Sequence, residues 1–362
     1  MLTIHVIDNG LLKLAGHHYH HALGMLSGVK ELGLGLIIYC MNIKNLPEEI
    51  KEIAIPSFKK FLYRQNPHID IDAHANFLAQ ELGVLIPRFS HHDILVFPNA
   101  NYDEIAAIPK FIETNKYQGR IILRLMFYPH GNSEVYLNLL HQVVKYKNVD
   151  VVVSSLPYSQ WLTDNRVTNR FIPGLPHNLP YNLIGKIPEV YDFAYLGQPA
   201  AVKGFDHFIN ALLICAQNNI KPKAIIHAQG VEVPKTIVDK LAHCTFINRE
   251  ISDYQFYSDL VSSRSIVTFY DVNNYRFSDS GIVTEAIAFN KRLISSSLPF
   301  IGPTFGSAYA SEVVVNDWTT LGLAKKMVEV LNKHGRSKNE FDASIKAKKL
   351  CSPTNFMMNL LG

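Results

Sequence analysis

The pattern of apolar segments is the feature that most restricts the fold of this 362-residue chain. Short apolar runs such as "LTIHVID", "LGLIIYCM" and "DILVFP" alternate with longer segments whose apolar residues recur at helical spacing, such as "YDEIAAIPKFIETN". Strands that alternate with helices form a parallel sheet, because each crossover helix returns the chain to the same end of the sheet. The alternation therefore predicts an α/β fold with parallel strands.

The same alternation occurs twice, on either side of a proline-rich stretch at 172–190. Four prolines there disrupt regular helix, since proline lacks the backbone N–H and its ring clashes with the preceding turn. A chain of this length also exceeds one ordinary core. We predict an N-terminal domain over 1–180, a second domain over 181–345, and a segment at 346–362 that packs back on the first. Ligands are expected in the cleft between the domains, at the carboxyl ends of the strands.

Composition excludes several classes of protein. The formal charge is +4 and no long run of Lys or Arg is present, so a nucleic-acid partner is not expected. The longest apolar runs are far shorter than the roughly 20 residues that span a bilayer. The start "MLTIHVIDNG" has no basic region or cleavage site, which predicts a cytoplasmic protein. The four cysteines form no Cys-x-x-Cys pair and are predicted to be free thiols.

The stretch "GQPAAVKG" at 197–204 follows an apolar strand and precedes a helical segment. It places Lys203 and Gly204 at the start of that helix, where free backbone amides and the helix dipole attract phosphate. An exposed lysine before an N-terminal glycine explains the stretch equally well.

The stretch "SDSGIVTEAIAF" opens a second helix after another strand. Ser278, Ser280 and Gly281 lie at its start, where amides bind phosphate and where N-capping is the simpler explanation. Glu285 lies one turn further on. A carboxylate at that position can accept hydrogen bonds from ribose hydroxyls, or it can merely complement the helix dipole.

Four segments in order, "GQPAAVKG", the apolar "IIHAQG", "YSDLVSSRSIVTFYD" and "SGIVTEAIAFNKRLI", resemble the C-terminal domain of GT-B glycosyltransferases, nearest to glycosyltransferase family 4 (group 1). The resemblance covers 191–335 and extends more loosely to the N-terminal half. It implies two Rossmann-like domains facing across a cleft, with the acceptor on the first and the donor on the second. The implied reaction is a metal-independent, retaining transfer of a sugar from a UDP- or GDP-sugar to a hydroxyl of a glycan or lipid-linked acceptor. It implies no other cofactor.

The resemblance also implies roles for individual residues. Lys203, with Gly197 and Gly204, binds the donor diphosphate, as do the amides at Ser280 and Gly281. Glu285 corresponds to the second glutamate of the family's Glu-x7-Glu motif and holds the ribose. In the N-terminal half the implied residues are those of a glycine-containing loop and an acceptor-side histidine: Gly16, His17 and His130.

Two departures from the family pattern leave other functions open. Gln198 stands where the family has arginine after the first glycine, and Arg276 is the candidate replacement. Phe277 stands in place of the first glutamate, with Asp279 as the nearest carboxylate and candidate catalytic group. The alternatives are a non-catalytic sugar- or nucleotide-binding protein on the same scaffold and a sugar-nucleotide epimerase of GT-B shape.

Four further patterns give weaker predictions. His17 and His21 share a helical face, but no third ligand can be named, so no metal site is predicted. "DID" at 70–72 follows no long apolar strand and is discounted as a GT-A metal motif. Basic and aromatic residues alternate at 55–68, which indicates either peripheral contact with the inner face of a membrane or an amphipathic helix over the core. Arg124 and Tyr128 are predicted at a carboxyl edge beside the cleft.

Overall fold

A computed structural model describes residues 2–11, 17–59, 71–126, 128 and 133–362. The chain divides into two compact units, the first made of Met1–Asn178 together with Ser352–Gly362 and the second of Leu179–Cys351. The junction falls within the proline-rich stretch, which forms a 3₁₀ turn at Tyr181–Leu183. The first unit therefore contains both ends of the chain.

The first unit alternates strands and helices along the sequence. Its elements up to the junction are β1 (Thr3–Ile7), α1 (His17–Glu31), β2 (Gly35–Cys40), α2 (Glu48–Lys51), β3 (Ala54–Pro56), α3 (Ile71–Leu85), β4 (Ile94–Phe97), α4 (Tyr102–Asn115), β5 (Arg120–Leu125), α5 (Ser133–Val143), β6 (Val149–Val153), α6 (Leu156–Asp164) and β7 (Arg170–Phe171). All seven strands are parallel in the order β3-β2-β1-β4-β5-β6-β7. Because β1 pairs with both β2 and β4, the strand order reverses at β1.

The second unit repeats this architecture. Its elements are β8 (Tyr191–Tyr195), α7 (Phe205–Gln217), β9 (Ala224–His227), α8 (Lys235–Lys240), β10 (Thr245–Ile247), α9 (Asp253–Val261), β11 (Ser263–Thr268), α10 (Gly281–Ala288), β12 (Arg292–Ser296), α11 (Ile301–Phe305), α12 (Ser307–Val313), β13 (Val314–Val315), α13 (Thr320–Asn332) and α14 (Lys338–Leu350). Its six strands are parallel in the order β10-β9-β8-β11-β12-β13. The strand order of this sheet reverses at β8.

Each sheet has its own core, as the apolar periodicity predicts. In the first unit the buried strand residues Ile4, Val96 and Ile122 pack with apolar residues of α1. In the second unit β8 is buried on both faces, since Phe193 belongs to one apolar cluster and Ala194 to the other. Near-continuous apolar strands are typical of parallel sheets covered by helices on both faces. The predicted α/β fold with two parallel-sheet domains is confirmed.

The final helix, α15 (Pro353–Leu361), belongs to the first unit and packs along α1. A side chain at Gly28 of α1 would lie 2.6 Å from the carbonyl oxygen of Pro353, so glycine permits this close approach. The guanidinium of Arg170 also donates to the carbonyl oxygen of Asn359 at 2.6 Å. These contacts join the end of the chain to the first sheet.

Two predictions from composition can be compared with the fold. None of the described helices is long and apolar enough to cross a bilayer. All four cysteines are free, which confirms the prediction of unpaired thiols. Burial raises the pKa of Cys40 to about 12 and that of Cys244 to about 11, so both thiols are protonated and unreactive at neutral pH.

Candidate functional site

The point where the second sheet reverses its strand order is the best-defined candidate site. β8 lies between β9 and β11, so the chains that leave these three strands diverge at the carboxyl edge. Such a switch point opens a crevice in which α/β proteins bind ligands. The segment that leaves β8, residues 197–204, is called the glycine loop below.

Gly204 is the last residue of the glycine loop, and the surrounding structure favours glycine at this position. Its φ is +72°, a left-handed conformation that is costly for residues with a side chain. A Cβ at this position would also lie 2.0 Å from the carbonyl oxygen of Phe269, the residue after β11. The adjacent N–H of Asp271 donates to the carbonyl oxygen of Val202 at 2.8 Å. The end of the glycine loop is therefore packed directly on the backbone that leaves β11.

Gly197 begins the glycine loop and is held from the other side. Its N–H donates to Nδ1 of His227, the last residue of β9, at 3.1 Å. Its φ is +86°, and a Cβ there would lie 2.9 Å from Cδ1 of Ile282 in the first turn of α10. The loop thus lies between the end of β9 and the start of α10.

Lys203 is the cation of the glycine loop. It occupies the last position of a 3₁₀ turn, Ala201–Lys203, and its side chain is half-buried. Burial lowers the pKa of its ammonium, and among the described residues no carboxylate offsets that effect. A partly desolvated ammonium without a partner carboxylate is stabilised by a bound anion.

The start of α10 supplies backbone amides beside the same loop. Ser280 is the N-cap, and its Oγ accepts a hydrogen bond from the N–H of Val283 at 3.4 Å. N-capping therefore accounts for Ser280. The first N–H groups of a helix, here from Gly281 onward, lack intrahelical acceptors and point toward its N-terminal end.

Glu285 is buried one turn into α10, with 5% of its surface exposed. Its Oε1 accepts a hydrogen bond from the hydroxyl of Tyr257 at 3.3 Å. The pKa values of Tyr257, Tyr181 and Cys351 are raised first by burial and further by this carboxylate. Glu285 is therefore buried against these side chains, which is a different environment from an exposed position on the helix dipole. A carboxylate has capacity for several hydrogen bonds, so Glu285 can accept others from a ligand besides the one from Tyr257.

The loop between β11 and α10 contains the residues that depart from the family pattern. Phe277, in place of the first glutamate, is buried, and the guanidinium of the exposed Arg276 lies 5.0 Å from its ring centroid. Asp279 is half-buried directly before the N-cap, and the side chain of Gln198 in the glycine loop is exposed. An aromatic side chain thus occupies the position at which the resemblance implies an acid.

Several predicted residues of the first unit lie outside the described residues. These are Gly16, His130, the side chain of His17, Asp70 of "DID" and 60–68 of the basic and aromatic stretch. Among the residues that are described, no group of three or more His, Cys, Asp or Glu side chains is arranged to hold a metal ion. Arg124 lies near the carboxyl end of β5, as predicted. Its side chain is buried, and its guanidinium lies 5.2 Å from the ring centroid of Phe356 on α15.

A second polar cluster lies at the switch point of the first sheet, and the sequence patterns did not identify it. Asp8 follows β1, Asn99 follows β4, and His18 lies in the first turn of α1. Nδ1 of His18 is 2.6 Å from Oδ1 of Asp8 and 3.1 Å from Nδ2 of Asn99. A Cβ at Gly10 would lie 2.2 Å from the His18 ring, so glycine leaves room for it. Asp8 and Asn99 each follow a predicted strand, and this position in the sequence could have indicated the cluster.

His227 and Asp259 were also not identified from the sequence. His227 ends the segment "KAIIH", whose apolar character hides a polar residue at the sheet edge. Its Nε2 lies 2.9 Å from Oδ2 of Asp259 on α9, and both side chains are buried. The signal that could have revealed His227 is its position as the last residue of a strand beside β8.

No protein-family model matches the chain, and no curated protein matches it in sequence. Solved structures do match it over nearly its full length. A glycosyltransferase from Rickettsia africae is 14% identical with a TM-score of 0.66, covering 99% of this chain and 97% of that one. The catalytic domain of starch synthase IV from Arabidopsis thaliana, bound to ADP and acarbose, is 10% identical with a TM-score of 0.64, covering 99% and 98%.

The pneumococcal O-GlcNAc transferase GtfA, in complex with UDP and GlcNAc, is 10% identical with a TM-score of 0.65, covering 99% of this chain and 97% of that one. These neighbours share the GT-B fold, which confirms the predicted fold class. At this level of identity the similarity establishes the fold and does not identify a family.

Proposed function

We propose that this chain is a glycosyltransferase that moves a sugar from a nucleotide diphosphate sugar to a hydroxyl of an acceptor. The observation that carries the proposal is the half-buried ammonium of Lys203, which has no carboxylate partner among the described residues. It lies in a loop beside the N-terminal end of α10 at a switch point of the sheet. A diphosphate is the anion that suits a cation and helix amides in that place.

Different residues of the second unit would bind different parts of the donor. Lys203 and the amides at the start of α10 would bind the diphosphate, and the buried Glu285 would accept hydrogen bonds from the ribose hydroxyls. During transfer, negative charge develops on the departing diphosphate. Fixed donors aimed at that charge lower the barrier because they need no reorganisation as the bond breaks. Asp279 and His130 remain the proposed catalytic groups at the sugar and the acceptor.

The finer features of the reaction are proposals as well. We propose retention of the anomeric configuration, a glycan or lipid-linked acceptor bound by the first unit, and action in the cytoplasm or at the inner face of a membrane. Retention rests on the resemblance of the second unit to family 4. Membrane contact rests on the basic and aromatic stretch, of which Phe58 is buried within the first unit.

Binding of nucleotides is the direct test. UDP, GDP and ADP are titrated into the protein by calorimetry alongside the matching nucleosides, and the nucleotide that binds best is then supplied as its sugar conjugates in hydrolysis and transfer assays. We expect one diphosphate to bind more tightly than its nucleoside and one of its sugar conjugates to be turned over. A protein that binds diphosphates no better than nucleosides contradicts the proposal.

A second candidate function is favoured by the buried Phe277. If the first glutamate of the family is essential for transfer, an aromatic side chain in its place leaves a protein that binds a nucleotide sugar without reacting it. The same titrations distinguish the two functions. Binding of a donor that is neither hydrolysed nor transferred to any acceptor indicates the binding protein, and conversion of the donor without an acceptor indicates the epimerase.

Replacing Glu285 by glutamine is expected to weaken binding of the preferred nucleotide about tenfold, because hydrogen bonds to a charged acceptor contribute about 1.5–3 kcal/mol. The substitution keeps the shape and the Tyr257 contact, so the fold should not change. Affinities measured with the ribose nucleotide and with its 2′,3′-dideoxy form check the assignment, since the loss should shrink in the dideoxy form. Tyr257→Phe, which leaves the carboxylate in place, is the matched control. Unchanged affinity in Glu285→Gln would show that Glu285 has no ligand role.

Treatment with EDTA is expected to leave transfer activity unchanged. In the proposed mechanism, Lys203 and backbone amides supply the positive charge at the diphosphate, so a divalent ion is not needed there. Activity is measured before and after chelation and after addition of single divalent ions. If EDTA abolishes activity and one divalent ion restores it, the prediction is wrong, and the protein has a metal site that includes residues outside the described ranges.

A further inference from the structure

We infer that His227 and Asp259 form a positioning pair that holds the glycine loop in its anion-binding conformation. This inference rests on the proposed function, because it concerns how the diphosphate site is organised. His227 and Asp259 lie in the segments "IIHAQG" and "YSDLVSSRSIVTFYD", and the resemblance assigns neither of them a role. The pair would not touch the ligand, and its effect would be transmitted through the backbone of Gly197.

The hydrogen bonds around His227 form a continuous chain. The N–H of Gly197 donates to Nδ1 of His227 at 3.1 Å, and Nε2 of His227 lies 2.9 Å from Oδ2 of Asp259. The other oxygen of Asp259 accepts a hydrogen bond from Nε2 of Gln255 at 2.7 Å. Both His227 and Asp259 are only 3% exposed, so water does not replace these partners. A loop at the surface is thus anchored to buried groups on β9 and α9.

These hydrogen bonds require one particular tautomer of the His227 imidazole. Nδ1 can accept a hydrogen bond from Gly197 only when the ring proton is on Nε2, and Asp259 selects that form by accepting the Nε2 proton. The opposite end of the glycine loop is held by the contact of Gly204 with Phe269. Lys203 therefore projects from a segment anchored at both ends. Such anchoring reduces the conformational entropy that is lost when the ligand binds.

Three substitutions separate the positioning role from general stability. His227→Gln can place its amide toward Asp259 but leaves the Gly197 N–H without an acceptor. His227→Asn can place its oxygen where Nδ1 lies, so it retains the bond to Gly197 and loses the one to Asp259. His227→Asn removes more volume than His227→Gln, so a selective loss in His227→Gln alone follows from the hydrogen bond that is lost and not from the void.

Asp259→Asn is designed to remove the same hydrogen bond to Gly197 while it keeps the shape of the side chain. If Gln255 keeps donating at this position, the carbonyl oxygen of the new amide lies there and its NH₂ group faces Nε2 of His227. The imidazole then carries its proton on Nδ1 and presents a donor to the N–H of Gly197. This variant keeps the proposal testable even if His227→Gln does not fold.

The experiment measures dissociation constants for the preferred nucleoside diphosphate and for its nucleoside, together with the unfolding temperature of each variant. We expect His227→Gln and Asp259→Asn to lose about three- to tenfold of the preference for the diphosphate, the range for one neutral hydrogen bond. His227→Asn should keep most of that preference. Nucleoside binding should change little in all three.

The outcomes separate this inference from the function on which it rests. If the parent protein shows no preference for the diphosphate, the proposed function fails and this inference fails with it. If the parent shows the preference and His227→Gln and Asp259→Asn retain it in full, the positioning role is overturned and the proposed function stands. Equal losses for nucleoside and diphosphate in all three variants, with lowered unfolding temperatures, also overturn the positioning role.

Discussion

Replacing Lys203 by alanine is expected to weaken binding of a nucleoside diphosphate by about ten- to a hundredfold, since hydrogen bonds to charged groups contribute about 1.5–3 kcal/mol. Binding of the matching nucleoside should change less than about twofold, because the ammonium addresses only the phosphate charge. Isothermal titration with the two ligands measures both effects. The loss should be large because the ammonium is already partly desolvated in the free protein.

Lys291→Ala is the matched control for this prediction. Lys291 is also buried, and burial lowers its pKa, but its ammonium is paired with Glu189 at 2.6 Å and donates to the carbonyl oxygen of Val261 at 2.7 Å. Its removal should lower the unfolding temperature without a selective loss of diphosphate affinity. If Lys203→Ala weakens both ligands equally, Lys203 is a structural residue and the diphosphate site lies elsewhere.

The lowered pKa of Lys203 adds a pH signature to the same experiment. A buried ammonium loses its proton at a lower pH than an ordinary lysine, whose pKa is about 10.4. Diphosphate affinity in the parent protein should therefore decline as the pH rises through that lowered pKa. In Lys203→Ala this decline should be absent.

Replacing Gly204 by alanine is expected to be the most destabilising single change in the glycine loop. A left-handed conformation costs a residue with a side chain about 1–2 kcal/mol. The new Cβ would also lie 2.0 Å from the carbonyl oxygen of Phe269, which is backbone and cannot rotate away. Overpacking of this kind costs about 1–3 kcal/mol in addition. The free energy of unfolding of the second unit and the affinity for diphosphate should both fall.

Gly335→Ala separates the two contributions. Gly335 has nearly the same φ, +70°, but a Cβ there would meet nothing within 4 Å. Its substitution should cost only the conformational term and should leave ligand binding unchanged. Denaturant unfolding of both variants gives the difference, which we expect to be at least about 1 kcal/mol. Equal destabilisation by the two substitutions would mean that the glycine loop moves freely away from β11, and its contact with Phe269 would then have no role in forming the site.

The elements of this protein and much of its candidate site follow from local sequence. Strand-like runs and helical periodicity predicted two parallel sheets, because burial of an apolar face imposes its period on the sequence. "GQPAAVKG" and "SDSG" were predicted at strand-to-helix junctions, and both lie there, before α7 and α10. The environment of Glu285 could not be predicted from local sequence, because Tyr257 of α9 and Cys351 at the end of α14 are distant from it in the chain.

Only the tertiary structure decided which of these junctions meet. β8 pairs with β9 and β11, so Gly204 contacts Phe269, and Gly197 contacts His227 and Ile282. These residues are separated by 30 to 85 positions in the sequence. Asp8 and His18 in the first unit are similarly joined by the direction in which α1 follows β1. Periodicity along the chain records which face of an element is buried, but it contains no information about which neighbour covers that face. Strand order is set by packing of the whole sheet, and strand order placed a histidine beside the glycine loop.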